Sequence, residues 1–218
     1  MTYTLRNTHD GPLDEIDSAL SRMIALVEEG IGAASAALLS ADDSAADAVA
    51  LRRQEIEELH RTLEGLVFTQ LVRQAPVTGD VRFLVAVLRI VPELELTAAL
   101  AGDIARRGSM HIGEELSPRI RGLVSQLFDH ALAMWHQAAD AYHERSPKVL
   151  DRLEALDEEI DELHASLLAE LASGILRPPV LVDMALVARF LERLGDHAVE
   201  VGRWVESLSA AQPQPRED

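Results

Sequence analysis

The chain has no cysteine, few aromatic residues and too few bases to balance its acids. Without cysteine there is no disulfide, no thiolate metal site and no cysteine nucleophile, and a reducing compartment suits the composition. Phe, Tyr and Trp together make up 4% of the residues, so the core must be packed mainly from aliphatic side chains. Lys and Arg number 20 against 37 Asp and Glu, a net charge of −17. That excess of acid argues against a nucleic-acid partner, because phosphate neutralisation needs clustered bases. It favours cations or basic protein surfaces. No Gly-rich phosphate cradle, nucleophile motif or Lys/Arg cluster suited to free phosphate is present. The longest apolar run, FLVAVL at 83–88, falls far short of the roughly 20 residues that cross a bilayer. The opening MTYTLRNTHDG lacks the apolar stretch of a signal peptide. The expectation is a soluble cytoplasmic protein, peripheral to a membrane at most, with a polar, proline-rich and disordered tail over 209–218.

What is present is a repeat. QEIEELH at 54–60 and EEIDELH at 158–164 agree at five of seven positions, 104 residues apart. Each follows a similar amphipathic stretch, 20–40 in one half and 124–144 in the other. Each precedes a long apolar one, 80–108 and 180–205. A period near 100 residues signals a duplicated domain rather than a solenoid of short units. The punctuation agrees. Gly11-Pro12 precedes the first helix, SADDSAAD at 40–47 reads as a loop with N-cap residues, and QAPVTGD at 74–80 ends in Asp80 as a candidate N-cap. GSMHIGEELSP at 108–118 links the halves, and RSP at 145–147 and SGILRPP at 173–179 repeat the breaks. The predicted fold is all-α: two tandem three-helix bundles of six long helices, spanning 12–108 and 118–208 with a linker over 109–117. Pro92 falls inside the third helix and predicts a kink or a restart there.

Two acidic stripes run beside the apolar faces. In 150–171 the core positions Leu153, Leu156, Ile160, Leu163 and Leu167 are flanked by Asp157, Asp161 and His164. In the last helix Glu192, Asp196 and Glu200 stack at four-residue intervals, with His197 adjacent. Carboxylates so spaced repel by a few tenths of a kcal/mol per pair. Packing the two core faces together brings the stripes along one groove, where converging carboxylates raise one another's pKa or take up a cation. Oxygen ligands suit Mg²⁺, Ca²⁺, Mn²⁺ or iron, and an added imidazole favours transition metals. The alternative is two solvated faces, with Arg193 or Arg203 neutralising the acids.

ARFLERLGDHAVEVG at 188–202 resembles the signature of the PhoU family, the phosphate-uptake regulators. The resemblance extends to LDEEIDELH at 156–164, to QAPVTGDVRFLVAVLRI at 74–90 and to the two three-helix repeats. It implies a negative regulator of phosphate uptake and phosphate-starvation signalling, not an enzyme. Its partners would be a sensor histidine kinase and the phosphate ABC transporter, and it would be a homodimer. It also implies that the pairs Asp157–Asp161 and Glu192–Asp196 bind a divalent or iron-type metal ion; the stacking on the last helix adds Glu200 as a further candidate ligand, and His164 and His197 are weaker ones. The first repeat departs from that pattern. Arg53 stands where Asp157 stands, Ala99 replaces Asp196 and Leu100 replaces His197, while Glu57, Glu95 and Asp103 match Asp161, Glu192 and Glu200. The metal site is therefore expected in the second repeat only, with Arg53 pairing Glu57 or Glu95 in the first. Two other readings remain. Glu57-x-x-His60 and Asp161-x-x-His164 have the spacing of di-metal carboxylate enzymes, and a metal-free helical adaptor would need no ligands at all.

Overall fold

The computed structural model describes residues 11–73, 78–144, 146, 148–174 and 176–209, and these form six long α-helices with no strand among them. They are α1 Pro12–Ser40, α2 Asp43–Arg73, α3 Thr78–Gly108, α4 Pro118–Glu144, α5 Leu150–Leu171 and α6 Pro178–Ser209. The expected tail lies outside the described residues apart from Ser209, the last residue of α6. Three of the helices open on proline, whose missing N–H costs nothing at the first helical position. Before α4, Ser117 Oγ accepts the Ile120 N–H at 3.2 Å, closing the first turn.

The loop expected at 40–47 shrinks to Ala41 and Asp42, with Ala41 left-handed at φ 52°. Asp42 is the cap of α2. Its Oδ1 accepts from Ala45 N at 3.1 Å and from Ser44 Oγ at 2.6 Å, and these bonds hold its carboxyl below the usual range. Asp80 is not a cap, because α3 already starts at Thr78; residues 74–77, like Arg145, Pro147 and Ile175, lie outside the described residues. Nor does α3 restart at Pro92. The carbonyl that loses its donor belongs to Leu88, on a partly exposed side of the helix.

Within each repeat the three helices pack on one another, and the repeats then pack together through α3 on α6 and α1 on α4. One continuous aliphatic core results, with Phe128, Trp135 and Tyr142 as its large aromatics. Its two polar aromatics find partners. Trp135 Nε1 donates to the Leu194 carbonyl at 3.0 Å, and the Tyr142 hydroxyl donates to Asp17 Oδ1 at 2.5 Å. α1 passes a length-and-hydropathy test for a membrane span, but its apolar side chains, Ile16 to Leu38, face this core.

Long polar side chains fix how α3 lies against α6. The Arg89 guanidinium sits 5.6 Å over the Trp204 ring, His197 Nδ1 is 2.5 Å from Glu93 Oε2, and Arg107 both pairs with Asp183 at 3.2 Å and lies 5.0 Å over Phe190. Residue numbers rise on α3 as they fall on α6, so the two helices run antiparallel. The linker is fixed as well. Its 3-10 turn, Ile112–Glu115, buries Ile112 and sets Gly113 so near Leu38 that a Cβ would stand 1.9 Å from the Leu38 carbonyl oxygen. No basic residue lies in the last turn of α1. Arg121 of α4 supplies the charge instead, donating to the Leu39 carbonyl and, at 2.6 Å, to that of Gly113.

Candidate metal centre

The α5–α6 contact is close because α6 carries glycines at 195 and 202, seven apart on one face. A Cβ at Gly202 would come within 2.3 Å of Leu153 Cδ1. One at Gly195 would lie 3.0 Å from both Asp157 Oδ1 and Ile160 Cδ1. Side chains beside this tight seam are therefore pressed together, and the carboxylates are among them.

Four acids share one electrostatic neighbourhood. Burial pushes the Asp157 carboxyl up to about 6, with the charges of Asp196, Asp161 and Glu192 adding to the rise and Arg203 opposing it. Burial likewise raises Glu192, reinforced by Asp196 and Asp161 and opposed by Arg189. Asp157, Asp161, Glu192 and Asp196 are thus the expected ligands that feel one another's charge. Glu200 stands apart. It accepts from Arg203 Nη1 at 3.0 Å and is not among the charges that perturb Asp157. His197 faces the other way, across α3 to Glu93. His164 stays near the group, its imidazole held below the ordinary range by burial and by Arg189, against a smaller pull from Asp161.

The arginine partner is a different one from those expected at Glu192. Arg189, one turn earlier, reaches Glu192 Oε1, whereas no ion pair joins Arg193 to an acid among the described residues. The other oxygen, Glu192 Oε2, is buried with no hydrogen-bond partner. An orphaned carboxylate oxygen beside three further carboxylates fits a hard cation in donor chemistry and in charge. As they stand, no three Asp, Glu or His side chains among the described residues converge tightly enough to hold an ion. Exposed Asp161 and Asp196 would have to swing inward to close the set.

The first repeat builds something else from the corresponding positions. Arg53 Nε pairs with Glu57 Oε1 at 3.1 Å and leaves Glu95 alone. Glu95 instead meets His60 Nδ1 at 2.5 Å, and His60 Nε2 lies 3.4 Å from Glu64. One imidazole therefore bridges acids of α2 and α3. The spacing of His60 and Glu64 on one turn was visible in the sequence; that α3 delivers Glu95 to the other ring nitrogen was not. The two x-x-His motifs also lie on α2, which packs on α1 and α3, and on α5, which packs on α4 and α6. They do not form the single four-helix site of a di-metal carboxylate enzyme.

A family model described as the PhoU domain matches residues 20–108 and 124–205, one copy per repeat. The phosphate-specific transport system accessory protein PhoU homolog 1 of Mycobacterium tuberculosis is 31% identical over 204 residues, 92% of each chain. PhoU homolog 2 of the same species is 31% identical over 206 residues, 92% of this chain and 96% of that one. The crystal structure of PhoU from Pseudomonas aeruginosa superposes with a TM-score of 0.84 at 26% identity, covering 92% and 98% of the two chains. That of the PhoU from Streptococcus pneumoniae gives 0.74 at 19% identity, a likeness of fold.

Proposed function

Since this chain belongs to the PhoU family, whose members are accessory and regulatory proteins of phosphate transport rather than enzymes, we propose that it is a negative regulator of phosphate uptake and of phosphate-starvation signalling. The observation that carries this reading is the family match across both repeats, so its warrant is kinship rather than chemistry. The protein acts by contact, in the cytoplasm, on a sensor histidine kinase and on subunits of a phosphate ABC transporter, and it works as a homodimer without nucleic acid. Acidic helix faces on a chain of charge −17 suit basic partner surfaces and speed encounter with them. In a deletion strain lacking other copies, phosphate-responsive genes should stay on in phosphate-rich medium. Unchanged reporter output would sink the reading, and recovery of a kinase or transporter subunit with the tagged protein would identify the partner.

The second repeat binds a divalent or iron-type cation through Asp157, Asp161, Glu192 and Asp196. The orphaned Glu192 oxygen and the raised Asp157 carboxyl support this. Bound there, the cation would cancel the mutual repulsion of the four carboxylates and lock α5 to α6. A protein that carries no metal after chelator-free purification and shows no metal-dependent melting would instead be a metal-free helical adaptor.

A further inference from the structure

Exposed apolar side chains gather on one side of the first repeat. On α2, Phe68 is 68% and Val72 65% exposed, with Leu71 between them, and these continue the line of Glu64 at helical spacing. On α3, Val85, Leu88 and Leu96 are 41%, 39% and 46% exposed, and with Pro92 they form a single stripe at i, i+3, i+7 and i+11. The two lines flank one shallow cleft, since His60, Glu64, Leu88 and Pro92 all line it. The α3 stripe runs about 16 Å, three helical turns. Overlaying Glu95 on Glu192 puts Val182, Ala185, Arg189 and Arg193 at its four positions in the second repeat. The duplicated surfaces have diverged, one toward charge and the other toward grease.

Over most of this stripe the charge runs against the rest of the chain, while Glu93 and Glu95, beside its end at Leu96, are turned to His197 and His60. From Gly65 to Pro92 Asp80 is the only acid, against Arg73, Arg82 and Arg89. Among the described residues Arg61, Arg82 and Arg89 make no ion pair with a carboxylate. Arg61 bonds to its own helix at the Glu57 carbonyl, and Arg89 rests on Trp204. In a protein with nearly two acids per base, unpaired arginines beside exposed Phe and Leu leave positive charge to be matched from outside. The carboxylates at the far end of the cleft, Glu64 and Glu95, are both turned to His60.

We propose that the α2–α3 face of the first repeat is a docking site for one amphipathic helix of another protein, about three turns long, with an apolar stripe flanked by carboxylates. A lipid surface is disfavoured by the chain's net charge of −17, which an anionic leaflet repels. A second copy of the chain, offering this same face, brings no free carboxylate to these arginines, since its Glu64 and Glu95 are engaged with His60. The proposal goes beyond the regulatory reading and shares with it only the premise of action by contact. The experiment below reads the chemistry of the bound segment, not phosphate signalling, so each can fail without the other.

The test places a photo-crosslinking amino acid at position 68, 88 or 51 of the full chain in cells grown in rich and poor phosphate. Leu51 is the control, being 67% exposed on α2 but remote from the patch. Adducts at 68 and 88 should map by mass spectrometry to a helix with acidic flanks on its apolar stripe, and position 51 should give none. Arg82→Glu should lower the yield at 68 about two- to fivefold with the melting temperature unchanged. Adducts to a second copy, to lipid or to a basic segment, no adduct in either medium, equal yield at 51, or indifference to Arg82→Glu would each overturn the proposal.

Discussion

Replacing Asp157 by Asn should make the metal-free protein more stable at neutral pH, which inverts the usual effect of deleting a polar side chain. The carboxyl is raised from 3.8 to about 6 in the fold. Such a group holds its proton more tightly when folded, so stability is lost as pH rises from about 4 to 6 and stays lost above that. A rise of about two units corresponds to about 3 kcal/mol if the site excluded solvent. Asp157 is only partly buried, so screening reduces this to about 1 kcal/mol. Asn has the same shape, keeps the contact with Gly195 and carries no charge. In EDTA at pH 7.5 the variant should therefore melt about 2–4 °C above the parent. The gain should shrink as pH falls through 6 and vanish near 4, where the parent is already neutral. In the presence of Mn²⁺ or Fe²⁺ the order should reverse, because the parent gains a ligand that binds only the folded state, worth about 2.7 kcal/mol at a hundredfold excess over Kd. Thermal melts of both proteins across pH 4–8, with and without metal, decide it. A variant less stable than the parent in EDTA at pH 7.5, or a difference that ignores pH, would refute the crowding of charge described above.

Further substitutions probe the rest of the structure. Asp196→Ala should abolish the metal-dependent rise in melting temperature and Glu95→Ala should leave it intact, since Glu95 is engaged with His60; equal loss in both would deny the asymmetry between repeats. Gly202→Ala adds a methyl 2.3 Å from Leu153 Cδ1 and should cost about 1–2 kcal/mol in urea unfolding, overpacking outweighing the better helix propensity. A more stable Gly202→Ala would mean that α5 can step away from α6 freely. Arg121→Ala strips the Leu39 and Gly113 carbonyls of their donor and should cost about 1–3 kcal/mol; hydrogen exchange should rise first in the linker rather than in α5.

Residues 54–60 and 158–164 already declare a duplicated helical domain, and the seven-residue spacing of Leu153, Ile160 and Leu167, with the three- and four-residue spacing of Leu191, Leu194 and Ala198, places the buried faces. These features are legible because helix periodicity and amphipathicity are local, written within a turn or two of the chain. The four carboxylates were legible for the same reason, as two i,i+4 pairs on helices sharing an apolar seam. What the tertiary structure decided is every pairing between distant segments. His197 is adjacent to Asp196 yet turns to Glu93, and Glu200 goes to Arg203. Glu95 finds His60 instead of Arg53, and α3 runs past Pro92. Sequence spacing fixes the direction of a side chain around its own helix axis, but not which neighbour lies in that direction. That depends on how closely two helices approach, set here by Gly195 and Gly202 against α5, and on the antiparallel packing of α3 on α6, set by shape and charge contributed from both repeats at once.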